Sequence, residues 1–176
     1  DKLSVSKESK KRGNGYLNVA LFGVDSRDND LDKGTRSDTI MIASLNKKTM
    51  KVKIASIYRD TLSEQEDGTL NKINAAYSYG GPEGALSVLN KNLDMNIEHY
   101  VTVNFNSMID IVDSVGGIDI DVQEDEMPYI CGYVQEIMKV TGKLSPGVTE
   151  PGTQTLNGVQ ATAYARIRYT AGDDFR

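Results

Sequence analysis

Charged residues border three apolar stretches near the start of this sequence, and their types suit one kind of chemistry. Asp25 closes the first stretch, Arg36 and Asp38 open the second, and Arg59 and Asp60 follow the third. Carboxylates are the hard oxygen ligands that Mg²⁺ prefers; that ion typically takes one or two of them and completes its shell with water and substrate phosphate. Arginine grips phosphate oxygens through two parallel N–H donors. A magnesium-bound pyrophosphate would use both. Taken singly, each of these residues is more often a solvated turn residue or half of a simple ion pair. Five of them bracketing three neighbouring strands weaken that reading, because an unpaired charge at the end of a buried strand is costly. The acids and arginines are therefore expected to converge on one rim of a sheet, paired, metal-bound or ligand-bound.

The elements that must position them are legible. Leu17 to Val24 and Thr39 to Leu45 are nearly unbroken apolar runs of strand length without proline, the pattern of strands covered on both faces. Met50 to Ile57 alternates Lys51 and Lys53 with Val52 and Ile54, and Asn46 to Thr49 reads as a turn, so the second and third strands form a hairpin.

Composition narrows the function classes. The 176 residues carry a net charge of −5, which argues against a broad nucleic-acid surface, so any anion is met by a local arginine cluster. One cysteine, Cys131, and one histidine, His99, exclude an internal disulfide and a Cys/His zinc set. His99, beside Glu98 at a strand start, reads as a surface residue rather than a general base. The nine tyrosines are scattered rather than interleaved with basic residues, so they form no base-stacking platform. No nucleotide-binding glycine loop and no nucleophile elbow is present, and no apolar run reaches membrane-spanning length.

Residues 1–15 are polar, lysine-rich and without periodicity, and read as a disordered stalk. Lys7, Lys10, Lys11 and Arg12 in it suit an anionic surface, although so short a charge run is usually just solvated. Residues 16–176 read as a single domain that is truncated at its C-terminus. After Asp60 comes a polar loop, then a short helix from Ile73 to Tyr79 ended by Gly80-Gly81, and a second helix opened by Pro82 with Leu86, Leu89 and Leu93 as its stripe. Tyr100 to Phe105 is a strand, and Asn106 caps a helix carrying Met108 and Val112 that ends at Gly116-Gly117. Ile118 to Val122 is an edge strand. Gln123 to Thr155 is an excursion with one short element, Tyr133 to Val140. Asn157 caps a helix that must stop near Ala165 if Arg166 and Arg168 are to share a face. Alternating strands and helices give the α/β class.

Taken in order, these motifs resemble the LytR-CpsA-Psr family of bacterial cell-envelope proteins. The residues that carry the likeness are Asn18 through Arg27, Arg36-Ser37-Asp38-Thr39, Arg59-Asp60-Thr61, Lys72-Ile73-Asn74-Ala75-Ala76-Tyr77, Gly80-Gly81, Val103-Asn104-Phe105, Val115 through Asp119, Leu156-Asn157-Gly158, Arg166-Ile167-Arg168 and Gly172-Asp173-Asp174.

The resemblance implies a three-layer α/β/α sandwich with a central mixed sheet, held at the extracellular face of the cytoplasmic membrane by an anchor helix outside this sequence. It implies a phosphotransferase that moves a glycopolymer of teichoic-acid or capsule type from a polyprenyl-pyrophosphate lipid to peptidoglycan. By match, Asp25 and Asp38 hold Mg²⁺, with Mn²⁺ as a substitute. Arg36, Arg59, Arg166, Arg168 and Arg176 hold pyrophosphate, Arg176 or a residue beyond it being the family's further arginine. Arg59, Asp60 and Asp38 are the catalytic candidates, and Leu86, Leu89, Leu93, Met108 and Val112 are candidate lining of a lipid slot. Tyr58 stands where the family usually has proline, which leaves the backbone ahead of Arg59 less constrained. Two rival readings share the likeness, a polyprenyl-phosphate binder without turnover and an envelope-linked transcription regulator; the net charge of −5 argues against the second.

Overall fold

A computed structural model of the protein describes residues 3–25, 31, 34–168 and 170. The chain divides into two compact units, Asp1–Asn104 and Phe105–Arg176, where the sequence suggests one domain over 16–176.

The first unit is built on a four-stranded mixed sheet in the order β3-β2-β1-β6. Strand β1 (Tyr16–Val24) lies antiparallel to β2 (Ser37–Asn46) and parallel to β6 (His99–Val103), and β2 pairs with β3 (Val52–Ile57) as the expected hairpin. Ala20, Phe22 and Val24 of β1 and Ile40 and Ile42 of β2 point to one face, as the two-residue period of a strand requires. Helix α2 (Ala75–Leu93) covers that face with Ala76, Tyr77, Ala85, Leu86, Val88 and Leu89. Phe22 meets Tyr77 edge-on at 5.2 Å between ring centres, and the Tyr77 hydroxyl donates to the Leu31 carbonyl at 2.6 Å. The other face is only half-buried along β1, and Val52 and Ile54 of β3 are exposed. An apolar run of strand length records that a strand is apolar, not how many layers enclose it.

Helix α2 breaks where the sequence predicts. Gly81 sits at φ 63°, ψ −159°, a conformation that only glycine adopts readily, and Pro82 restarts the helix behind it. Two segments differ from expectation. Residues 62–72, expected as a polar loop, form a small hairpin of β4 (Leu62–Glu64) and β5 (Leu70–Lys72) around Gly68 at φ +83°. The segment expected as a disordered stalk contains helix α1 (Lys7–Gly13), capped by the Ser6 hydroxyl and anchored by Ser6, Ser9 and Arg12 to the Asp94 carboxylate. These anchors are polar and distant in sequence, so no local periodicity announces the helix.

The second unit packs α3 (Phe105–Ser114), α4 (Met127–Thr141) and α5 (Gly158–Tyr164) with a two-stranded ribbon of β7 (Ile118–Val122) and β8 (Gly152–Leu156). Its core comprises Ile109, Val112, Ile130, Val134, Ile137, Leu156 and Val159 among others. Helix α3 starts at Phe105, so Asn106 lies inside it and is not its cap. Helix α4 is far longer than the expected Tyr133 to Val140, because Pro128 occupies the first turn, where its missing N–H costs nothing. Asn157 and Gln160 close a reciprocal capping box on α5, which ends at Ala165 as expected. No helix among the described residues is long and apolar enough to cross a membrane.

Candidate active site

Register places the charged strand ends together. Val24 pairs with Ser37 across β1 and β2, and Ile40 pairs with Ile57 across β2 and β3. Asp25 beyond the end of β1, Arg36 and Asp38 at the start of β2, and Arg59 and Asp60 after β3 therefore lie on one rim of the first unit's sheet. All five are exposed, so the burial cost that motivated the expectation does not act here. Water screens them instead, and they pair only partly.

Arg59 Nη1 donates to Asp38 Oδ1 at 2.6 Å, with both side chains about half exposed (49% and 48%). Asp60 is paired with Lys72 Nζ at 2.7 Å. That bond first, and then the charges of Lys72, Arg59 and Arg36, hold the Asp60 carboxyl below the usual carboxylate range. Lys72 was not among the expected site residues. It arrives because the β4–β5 hairpin folds back in the register Leu62↔Lys72; the sequence signals are the turn Glu66-Asp67-Gly68 between short alternating stretches and the place of Lys72 at the head of the Lys72 to Tyr77 motif.

The backbone around Arg59 is fixed without proline. The Thr61 N–H donates to the Tyr58 carbonyl at 3.0 Å and the Asn74 N–H to the Arg59 carbonyl at 3.2 Å, while Ile73 N–H reaches the Thr61 carbonyl at 2.8 Å. A closed turn tied to the strand behind it takes over the constraint that a proline ring would supply, and Tyr58 itself points to solvent at 77% exposure.

Among the described residues, two buried polar atoms flank this rim without a hydrogen-bond partner: Ser37 Oγ, between Arg36 and Asp38, and Asn74 Oδ1, two residues after Lys72. Buried polar groups are rarely left unpaired, so such atoms mark places where a ligand or ordered water belongs. Among the described residues no group of three His, Cys, Asp or Glu side chains forms a protein-only metal cage. Mg²⁺ does not need one, since two carboxylates with water and phosphate suffice. Asp25 and Asp38 on one exposed rim fit that donor set.

The other expected residues are placed as follows. Arg166 donates to Glu136 at 3.1 Å, with its guanidinium 5.3 Å from the ring centres of both Phe105 and Tyr133. Arg168 is exposed, and Arg176 lies outside the described residues, as do Arg27 and Gly172 to Asp174. Of the five slot candidates, Leu86, Leu89 and Val112 are enclosed in the two cores at 1%, 1% and 3% exposure. Only Leu93 and Met108 present surface. A leucine stripe at helical spacing serves core packing first, and spacing alone does not separate a core stripe from a lining stripe. Beside α2 the first unit has a cavity of 210 Å³ lined by Gln65, Glu66, Asp67 and Thr69 as well as α2 residues, more polar than a lipid slot would be.

Known proteins resemble this chain in sequence and in fold. The chain is 41% identical over 158 residues to a polyisoprenyl-teichoic acid–peptidoglycan teichoic acid transferase, TagU, of Bacillus cereus, covering 87% of this chain and 44% of that protein. It is 35% identical over 155 residues to the corresponding transferase TagV of Bacillus subtilis, covering 86% and 37%. The chain thus spans less than half the length of either relative. A solved structure of YwtF (TagT) from Bacillus subtilis, with octaprenyl pyrophosphate bound, superimposes with a TM-score of 0.66 at 28% identity, over 89% of this chain and 58% of that one. The LytR_cpsA_psr family matches residues 1–176. With the family model matching the whole length and the fold in agreement, the chain belongs to the LytR_cpsA_psr family.

Proposed function

We propose that the protein is the catalytic part of a Mg²⁺-dependent glycopolymer phosphotransferase, moving a teichoic-acid- or capsule-type polymer from a polyprenyl-pyrophosphate carrier to peptidoglycan at the outer face of the cytoplasmic membrane. The observation that carries the reading is the rim: two carboxylates suited to one metal, and two arginines and a lysine suited to a diphosphate. Support also comes from the transferases to which the chain is similar.

In this mechanism Arg36 and Arg59 bind the pyrophosphate. Asp25 and Asp38 would hold Mg²⁺, which would supply positive charge to the pyrophosphate oxygens. An acceptor sugar hydroxyl attacks the phosphorus that bears the polymer, a new P–O bond forms, and the P–O bond to the polyprenyl phosphate breaks. Charge on the departing phosphate is what the cations stabilise, which is the main catalytic work in phosphoryl transfer. Asp60 orients the attacking hydroxyl as a hydrogen-bond acceptor. Its depressed basicity, set by Lys72, makes it a positioning group that leaves the proton to pass to solvent or to phosphate oxygen.

The experiment is turnover of a synthetic polyprenyl-pyrophosphate-linked saccharide in the presence of peptidoglycan fragments, with released polyprenyl phosphate measured. Mg²⁺-dependent release that Asp38→Asn abolishes is the expected result. Tight lipid binding without release in any metal would assign the protein to carrier binding instead.

A further inference from the structure

Six large apolar side chains stand in water along one border of the first unit, and the chemistry of the rim does not use them. Met50, Val52, Ile54, Tyr58, Leu62 and Leu70 are all between 58% and 77% exposed. Apolar residues scattered singly over a surface need no explanation, whereas a run of them marks a contact site. Every residue from Lys47 to Leu62 except Ile57 is exposed, so the edge strand β3 and the β4–β5 hairpin that follows it are open to solvent together.

The hairpin is fixed in the orientation that displays its leucines. Leu62 pairs with Lys72 and Glu64 with Leu70, so both leucines lie on one face and the buried Ser63 lies on the other. The Asn92 side chain clamps the hairpin backbone to α2, accepting from the Glu64 N–H and donating to the Glu64 carbonyl, each at 2.9 Å. Lys91 adds an ion pair to the Glu64 carboxylate at 2.9 Å and a hydrogen bond to the Gln65 carbonyl at 3.1 Å. Rolling the leucines inward would break all four contacts.

Charge indicates what covers this border. From Lys47 to Arg59 the chain has five cations and no acid, although its net charge is −5. Lysines on an edge strand guard against unwanted strand pairing, but that role does not call for exposed Val52, Ile54 and Tyr58 between them. A second copy of this chain meeting β3 edge to edge would set those cations against one another. An anionic bilayer surface satisfies both kinds of side chain: the apolar groups enter the headgroup boundary, the lysine stems lie along it with their ammonium groups at the phosphates, and the tyrosine ring sits at the level it favours. Among the described residues β3 pairs with β2 alone, so its outer N–H and C=O groups need water or headgroup oxygens, which confines the contact to the interfacial layer.

We infer that the β3 edge and the β4–β5 hairpin form a surface that binds anionic lipid bilayers peripherally. Tyr58 and Leu62 bracket Arg59 and Asp60 in sequence, so a bilayer bound there brings the rim to headgroup level. The inference concerns the bilayer itself and requires no phosphotransfer at the rim.

The test is sedimentation of the full chain with vesicles of phosphatidylcholine, alone or with about one-third phosphatidylglycerol, free of polyprenyl lipid and of Mg²⁺ so that the result is independent of the proposed transfer. Uptake by the anionic vesicles is expected to be at least about tenfold stronger than by the neutral ones. Leu62→Ser combined with Leu70→Ser should weaken it about tenfold or more, and Lys51→Gln combined with Lys53→Gln about tenfold. Leu144→Ser, which removes an 89% exposed leucine of the second unit, should leave it within about twofold. All these changes are at exposed positions, and unchanged far-UV circular dichroism verifies that each variant folds. The chain contains no tryptophan, so Tyr58→Trp reports the contact directly, through a blue shift of its emission on anionic vesicles and quenching by brominated lipid. Absence of uptake by anionic vesicles would overturn the inference, as would full uptake in the paired leucine variant or an unshifted emission in Tyr58→Trp. A dimer in solution that the paired leucine change dissolves would overturn it too, by assigning the border to a second copy of the chain.

Discussion

Substituting Arg59 by lysine separates a ligand-binding rim from a merely structural one, because the structure assigns the two roles very different magnitudes. Arg59 and Asp38 form an ion pair with each partner about half exposed. Pairs in that setting contribute about 0–1 kcal/mol, since water screens the attraction and two long side chains lose freedom to make it. The backbone bonds that fix the turn, from Thr61 to Tyr58 and from Asn74 to Arg59, involve no side-chain atom of residue 59 and survive the change. Unfolding free energy should therefore fall by less than about 1 kcal/mol. Binding is another matter. A charged hydrogen bond to phosphate is worth about 1.5–3 kcal/mol, so losing the guanidinium fork should weaken a pyrophosphate ligand roughly ten- to a hundredfold even though one positive charge remains. Calorimetric titration with geranylgeranyl pyrophosphate in Mg²⁺, beside urea unfolding of the same samples, reads both quantities. A variant that unfolds early yet keeps normal affinity and transfer would refute the assignment of Arg59 to the anion.

Removing a carboxylate by Asp25→Asn or Asp38→Asn should lower affinity for Mn²⁺, followed by the loss of free-ion EPR signal, by about tenfold or more; unchanged Mn²⁺ binding in both would remove these residues from the metal site. Arg166→Lys gives up its planar contact with Phe105 and Tyr133 as well as the geometry of its bond to Glu136, so it should destabilise by about 1 kcal/mol and reduce polymer transfer, and full activity with unchanged stability would show that Arg166 serves neither role. Gly158→Ala places a methyl group against the Ile109 carbonyl and Cα, a backbone collision, and should cost about 1–3 kcal/mol in urea unfolding; no loss would mean that α3 and α5 separate easily. Asp94 is held below its ordinary pKa by Ser9 and Arg12, so its contribution is present above the unfolded value and is lost as pH falls through the lower folded one. The protection of the Lys7–Gly13 amides against exchange, relative to the unfolded chain at the same pH, should fall at acid pH, below about 4, and Asp94→Asn should show that low protection already at neutral pH.

How much of this was legible follows from where the stabilising partners lie in sequence. Strands β1 and β2 and the break at Gly81-Pro82 are readable because their causes are local: apolar runs bounded by charge, and a residue pair that cannot continue a helix. The rim is readable for the same reason, as Asp25, Arg36, Asp38 and Arg59 are fixed to strand ends. Helix α1 has no apolar stripe and is held by Asp94, more than eighty positions away, so its neighbourhood alone looks like a solvated charge run. Lys72 reaches Asp60 only through a hairpin of three-residue strands, below the length at which alternation carries weight. The place of the slot candidates Leu86 and Leu89 was not legible for a different reason. The stripe Leu86, Leu89 is equally what a core helix and a lipid-lining helix display, and here the sheet face of Phe22 and Ile40 claims it.

The exposure of the rim bears on how such a site can work. Had Asp38 and Arg59 been buried, exchanging one partner for another would have left a charge stranded in a medium of low dielectric, at a cost of several kcal/mol. At half exposure the pair is held by little more than screened attraction, so each member can be released cheaply. Under the proposed function, an arriving diphosphate would offer Arg59 two oxygens in place of one, and a metal ion would offer Asp38 a doubly charged partner in place of a singly charged one. The resting ion pair then resembles a placeholder that keeps both side chains extended toward the rim at almost no energetic penalty. Lys72 and Asp60 stand in the same relation at 2.7 Å. A site assembled from weak, solvated pairs binds a polyanion by trading partners, which is why removal of one cation should register strongly in affinity and hardly at all in stability.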